Sequence, residues 1–192
     1  MTDHVTPDTN NAINVASLFD LTGKTALVTG GSRGIGKMIA EGYLQAGATV
    51  YISSRKAEVC DQVAAELSAI GSCHSLPADV ASDDDRSRLV AALGASTDRL
   101  DILVNNAGAA WGADYADFPP SGFRKVLELN VTALFFLTRD LTPLLATAAD
   151  PDDPARVINI ASIDGMHTSP MSGYVYGTSK AAMIHLTRFM GS

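Results

Sequence analysis

Tyr176 and Lys180 stand four positions apart near the end of the sequence, with Ser162 and Asn130 upstream of them. A phenol is a weak acid with a reference pKa of about 10, and a neighbouring ammonium favours the phenolate. Such a pair can pass a proton near neutral pH, an effect worth on the order of 10²–10⁴ in rate. On a helix the i, i+4 spacing puts both side chains on one face. Tyr174 falls on the opposite side and is set aside. The Ser162 hydroxyl could hydrogen-bond a substrate carbonyl, although a serine at a strand end also serves as a turn or cap residue. Asn130 lies in a long helical pattern, where asparagine is unfavourable unless its side chain is used. Holding a water that refills a proton relay is one use; facing solvent is the alternative. With a hydride carrier at the other end, these groups describe the reduction of a carbonyl.

The run Thr29-Gly30-Gly31-Ser32-Arg33-Gly34-Ile35-Gly36 suits that carrier. Glycines let the backbone turn sharply and approach a pyrophosphate, and a helix N-terminus offers unpaired N–H groups and a partial positive charge. The Gly30-x-x-x-Gly34-x-Gly36 spacing predicts a dinucleotide where a strand precedes it and a helix follows. An acidic residue at the end of the second strand would accept the ribose hydroxyls of NAD. Here that stretch reads Ile52-Ser53-Ser54-Arg55-Lys56. Arg33 and Arg55 could instead hold a 2′-phosphate, so NADP(H) is predicted; a solvated helix start is the alternative for Arg55 and Lys56. Asp79, followed by Val80, could hold the adenine. Asp83, Asp84 and Asp85 read as a helix-capping cluster behind Ser82.

These groups meet only if strands and helices alternate. Apolar β-branched runs predict strands at residues 25–29, 49–53, 73–76, 100–105 and 156–161. Helical spacing predicts helices over 35–45, 56–70, 83–93, 121–146 and 174–190. In the second of these, Val59, Val63, Leu67 and Ile70 form the apolar face. In the fourth the face is Phe123, Val126, Leu127, Val131, Leu134, Phe135 and Thr138, and Pro143 is predicted to kink the helix or end it early. The alternation predicts an α/β class: a Rossmann-type, doubly wound parallel sheet with helices on both faces. Ligands bind such sheets at the carboxyl ends of the strands, which places the glycine turn, the Asn105-Asn106-Ala107-Gly108 segment and Ser162 on one edge.

At 192 residues the chain suits one domain, which should bury roughly 70% of its extended-chain surface. Residues 1–18 are read as a flexible N-terminal extension and 19–192 as the catalytic domain. A formal net charge of −7 and a pI near 4.9 argue against nucleic-acid or anionic-membrane partners, which need clustered Lys and Arg. Cys60 and Cys73 lack metal-ligand spacing and read as free thiols in a reducing cytoplasm; no metal site is predicted. No apolar run reaches the ~20 residues of a membrane span. Residues 1–16 lack the basic and apolar regions of a secretory signal.

Gly30-x-x-x-Gly34-x-Gly36, Asn105-Asn106-Ala107-Gly108, Asn130, Ser162 and Tyr176-Gly177-Thr178-Ser179-Lys180, in this order, resemble the short-chain dehydrogenase/reductase family from about Phe19 to the C-terminus. The resemblance implies a catalytic tetrad of Asn130, Ser162, Tyr176 and Lys180. Tyr176 would protonate the substrate oxygen, Lys180 would bind the nicotinamide ribose and lower the tyrosine pKa, Ser162 would orient the carbonyl, and Asn130 would complete the relay. It implies cofactor contacts from Gly30, Ser32, Arg33, Gly34, Ile35, Gly36, Ser54, Arg55, Asp79, Val80, Asn106, Ala107, Gly108, Tyr176 and Lys180. Residues 100–108, Trp111-Gly112 and residues 154–160 are similar to 3-oxoacyl thioester reductases, which implies a small carbonyl or acyl thioester substrate. A homo-oligomer, dimer or tetramer, is implied for the full-length form. The family continues beyond the helix bearing Tyr176 into two further strands and a lid, so a C-terminally truncated fold is expected. The alternative function is an NADP(H)-binding module or inactive fragment without turnover.

Overall fold

The structure, a computed structural model, describes residues 15–168 and 173–191. Most of the expected N-terminal extension, residues 1–14, lies outside the described residues; Val15–Phe19 forms a 3-10 turn in which Val15, Leu18 and Phe19 are exposed. Among the described residues five parallel strands follow: β1 (Thr25–Thr29), β2 (Thr49–Ser53), β3 (Cys73–Ser75), β4 (Ile102–Asn105) and β5 (Arg156–Asn159). Their order in the sheet is β3-β2-β1-β4-β5. The chain thus builds outward from β1 and then restarts at β4 on its other side. The switch point of this doubly wound sheet lies between β1 and β4, whose register pairs Ala26 with Ile102 and Val28 with Val104.

Every residue of β1 is buried, because helices cover both faces. Alternate side chains serve opposite cores, as the pleat requires. Ala26 and Val28 pack with Val50, Ile52 and Val104 under helices α1 (Gly34–Gln45) and α2 (Ala57–Leu67). Leu27 and Leu103 pack with Leu89, Leu93, Leu137 and Leu141 under α3 (Asp83–Ser96) and α5 (Ala133–Ala148). The thiols of Cys60 and Cys73 are free and buried in the first of these cores.

The fourth predicted helix proves composite. Helix α4 (Pro120–Leu127) runs into a π turn (Glu128–Thr132) and continues as α5. Pro143 neither ends nor divides it; α5 extends through the proline to Ala148. Loss of one helical bond and the ring clash cost roughly 3 kcal/mol. Leu141 and Leu145, both buried against the sheet, return about 1.5–3 kcal/mol each, enough to hold the helix. Segment Pro120–Ala148 has the length and apolar composition of a membrane span, against the expectation from uninterrupted apolar runs. Its residues Leu129, Leu137, Leu141 and Leu145 belong to the second core, while Phe123 and Phe135, expected on the apolar face, are partly exposed.

At the end of the sheet opposite the ligand edge, Asp101 accepts a hydrogen bond from the Thr25 amide at 2.9 Å and pairs with Lys24 and Arg99. Lys24 also pairs with Asp153. This cluster ties β1, β4 and the approach to β5 together. Helix α6 (Tyr174–Met190) closes the described chain.

Candidate active site

The glycine turn is shaped by contacts that only glycine allows. Gly30 and Gly34 adopt φ of 65° and 52°, in the left-handed region that disfavours side chains. A Cβ on Gly36 would stand 2.3 Å from the Gly30 carbonyl oxygen, so α1 begins flush against the turn. The segment after β4 fastens it from the other side. Thr29 Oγ1 accepts from the amides of Asn106 at 3.0 Å and Ala107 at 3.1 Å, and Asn106 Nδ2 donates to Thr29 O at 2.9 Å and Gly30 O at 3.3 Å.

A cleft of about 660 Å³ opens over this turn at the switch point. Gly30, Ser32, Arg33, Gly34, Ile35, Ser54, Arg55, Asp79, Val80, Asn106, Ala107 and Gly108 all line it. Gly36 lies behind the turn, while Tyr176 and Lys180 do not line the cleft. Lys56, weighed beside Arg55 in the sequence, lines it as well, and so do Ser53, Val59, Ala78 and Leu129, which sequence reasoning missed. Val59 fits the helical apolar pattern and so reads as core, yet it is 41% exposed on the cleft side of α2. Ser53 flanks a residue already singled out, and that adjacency was the available signal.

The lining fits a dinucleotide with an additional phosphate. Ser53 Oγ and Ser54 Oγ are buried with no hydrogen-bond partner, an arrangement a ligand oxygen would satisfy. Arg33, Arg55 and Lys56 are exposed around them, and Asp79 is the carboxylate among the lining residues. Asp79 is held by its turn: its amide donates to Asp85 Oδ2 at 2.9 Å, and its Oδ1 accepts from the Ala81 amide at 3.2 Å. Ser82 caps α3 by accepting from the Asp85 amide.

The other half of the site hangs on α6. Lys180 is 4% exposed; its Nζ donates to Ile160 O at 2.6 Å and lies 5.7 Å from the centroid of the Tyr176 ring. Burial pushes the Lys180 pKa below the usual lysine value. Asn130 is completely buried, which removes the solvent-facing alternative. Its Oδ1 accepts from the Ala109 amide at 2.8 Å, while Nδ2 donates to Ala109 O and to Ser179 Oγ, each at 2.9 Å. Ser179 in turn donates to Tyr176 O at 2.7 Å. The π turn explains this placement: its extra residue re-aims one side chain, and the sequence carried no sign of it.

Ser162 lies two residues beyond Ile160 rather than at the end of β5. It caps a 3-10 turn (Ile163–Gly165), accepting from the Asp164 amide at 3.2 Å. Tyr174, on the far side of α6 from Tyr176, packs edge-on against Tyr115 at 5.7 Å and Phe118 at 6.0 Å.

Gly108 joins the two halves. It lines the cleft, and a Cβ there would lie 3.4 Å from Asn130 Oδ1 and 3.9 Å from Lys180 Nζ. The inner end of the dinucleotide cleft therefore abuts a buried ammonium beside a phenol. This arrangement can hold a redox dinucleotide and place a proton donor next to it.

A family profile described as short chain dehydrogenase matches residues 24–192. The chain is 52% identical to the rhamnolipids-biosynthesis 3-oxoacyl-(acyl-carrier-protein) reductase of Pseudomonas aeruginosa over 172 residues, covering 90% of this chain and 67% of that protein. The structure of the Pseudomonas aeruginosa RhlG/NADP active-site complex superposes with a TM-score of 0.88 at 52% identity, over 90% of this chain and 67% of that one. The 7alpha-hydroxysteroid dehydrogenase of Escherichia coli is 33% identical over 88% of this chain and 65% of its own length.

Proposed function

We propose that this chain, which belongs to the short chain dehydrogenase family, is the cofactor-binding and proton-transfer part of an NADP(H)-dependent reductase that converts a 3-oxoacyl thioester to its 3-hydroxy form. The observation that carries the reading is the convergence at Gly108 of the dinucleotide cleft with Lys180 and Asn130. The substrate class draws on the relative from Pseudomonas aeruginosa that reduces 3-oxoacyl groups. The preference for NADP(H) draws on Arg33, Arg55, Lys56 and the two unpartnered serine hydroxyls, together with the NADP complex of a structural neighbour.

A bound dihydronicotinamide supplies the hydride; the rest falls to the chain. Arg33 and Arg55 would hold the phosphate of the adenosine half, and Asp79 would hold the adenine. Ser162 donates a hydrogen bond to the substrate carbonyl and orients it. Tyr176 delivers the proton to that oxygen as charge develops on it, and the Lys180 ammonium stabilises the phenolate left behind. Asn130 holds Ala109 and Ser179, and through them the wall at Gly108 and the helix carrying Tyr176.

The test is NADPH consumption with acetoacetyl-CoA by the chain and its Tyr176→Phe variant. Turnover in the first, and a loss on the order of 10²–10⁴ in the second with NADPH binding retained, is the expected result. A chain that binds NADPH yet consumes none with this thioester or longer ones would be a binding module instead.

A further inference from the structure

The 3-10 turn after Ser162 presses its backbone closely on that of α6. A Cβ on Gly165 would lie 2.7 Å from the Lys180 carbonyl carbon and 2.8 Å from the Ala181 nitrogen. A Cβ on Gly177 would lie 2.9 Å from the Asp164 carbonyl oxygen. All three distances are shorter than van der Waals contact and all three atoms are backbone; the Gly165 methyl would also meet Ile184 Cδ1 at 2.9 Å. Two glycines, one on each partner, thus let the turn and the helix touch directly.

Ser162 is coupled to this crossing. Its carbonyl accepts from the Gly165 amide at 3.0 Å, and its hydroxyl accepts from the Asp164 amide at 3.2 Å. On its other side, Ile160 O is held by Lys180 Nζ at 2.6 Å. The serine therefore sits on a short span fastened to α6 at both ends, the same helix that carries Tyr176 and Lys180. Moving Asp164 or Gly165 outward by the width of a methyl group carries Ser162 with it.

We infer that Gly165 and Gly177 are positioning residues for the reaction, setting the separation between the Ser162 hydroxyl and the Tyr176–Lys180 pair through direct backbone contact. The inference rests on the reductase reading above. Neither glycine lines the dinucleotide cleft, so their effect falls on the chemical step and leaves cofactor affinity unchanged. In Gly177 it opposes local preference, because alanine is the better residue for a helix interior.

The experiment compares Gly165→Ala, Gly177→Ala and the control Gly94→Ala, whose added methyl meets nothing within 4 Å. Each is assayed for kcat with acetoacetyl-CoA and NADPH, for NADP⁺ affinity by calorimetry, and for melting temperature. A displacement near 1 Å costs on the order of 10² in rate. The expected result is a fall in kcat of at least about tenfold in the first two, with NADP⁺ affinity within about twofold of the parent and no change in the control. Gly177→Ala should lose little melting temperature, since the better helix residue offsets part of the cost of displacing the Asp164 carbonyl. Unchanged kcat overturns the inference. So does a parallel loss of kcat, affinity and melting temperature in both variants, which would make the glycines general packing residues. If the parent chain itself has no turnover, the reductase reading fails separately. Crystal structures then decide: a Ser162 Oγ to Tyr176 Oη distance unaltered in both variants refutes positioning, and a lengthened one upholds it.

Discussion

Asn130 and Ala109 are joined by a reciprocal pair of hydrogen bonds, side-chain oxygen from backbone amide at 2.8 Å and side-chain amide to backbone carbonyl at 2.9 Å. The asparagine thereby completes the backbone pairing of a loop residue that no strand or helix serves. Asn130→Ala would leave Ala109 and Ser179 without these partners at a buried site. Each polar group so orphaned costs about 1–3 kcal/mol. Urea unfolding of the variant should show a lower midpoint by that order, with unchanged slope. A midpoint equal to the parent's would mean that water replaces the amide.

Gly36→Ala should open the phosphate turn. The 2.3 Å approach to Gly30 O cannot absorb a methyl group, so α1 must withdraw from the cleft. NADP⁺ affinity is expected to fall more than about tenfold, equivalent to about 1.4 kcal/mol, with a lowered melting temperature. Gly42→Ala, on the same helix and with nothing within 4 Å of the added atom, should instead stabilise by about 0.5–1 kcal/mol. Opposite signs from one helix would localise the effect to the turn.

Cofactor choice follows from charge near β2. Removing either guanidinium, as Arg33→Ala or Arg55→Ala, should weaken NADP⁺ by roughly ten- to hundredfold, since a hydrogen bond to a charged group is worth about 1.5–3 kcal/mol. NAD⁺ affinity should stay unchanged, and added salt should narrow the difference between the two cofactors. Equal losses for both dinucleotides would show that the arginines act on the shared pyrophosphate or on folding.

Asp101 gives a pH dependence with a definite sign. Burial alone would raise its pKa, but hydrogen bonds from Arg99 and the Thr25 amide, with Lys24 beside them, hold it below the ordinary carboxylate value. A carboxyl whose folded pKa is depressed contributes stability that is present above its unfolded value of about 3.9 and is lost as pH falls through the folded value. Melting temperature should therefore drop below about pH 4, and Asp101→Asn should flatten that acid limb. The same variant should lose about 1–3 kcal/mol near neutrality. A parallel acid limb in parent and variant would assign the titration elsewhere.

Much of this protein was legible from residue order alone. The strand–helix alternation, the glycine turn before α1, the cation-rich end of β2 and the Tyr176–Lys180 spacing are local patterns, fixed by neighbours within a few positions. Periodicity and turn chemistry report such patterns directly. Other features arise between segments distant in sequence, where packing outweighs local preference. Pro143 stays inside a helix because two buried leucines hold it there. Asn130 reaches Ala109 because a π turn inserts one residue into the helix. Val59 follows a core pattern yet faces the cleft. Ser162 is placed by glycines on two elements whose contact no local pattern encodes. Residue types and their spacing determined which chemistry is available; tertiary contacts alone decided how its groups are aligned, because alignment depends on backbone approach across the fold.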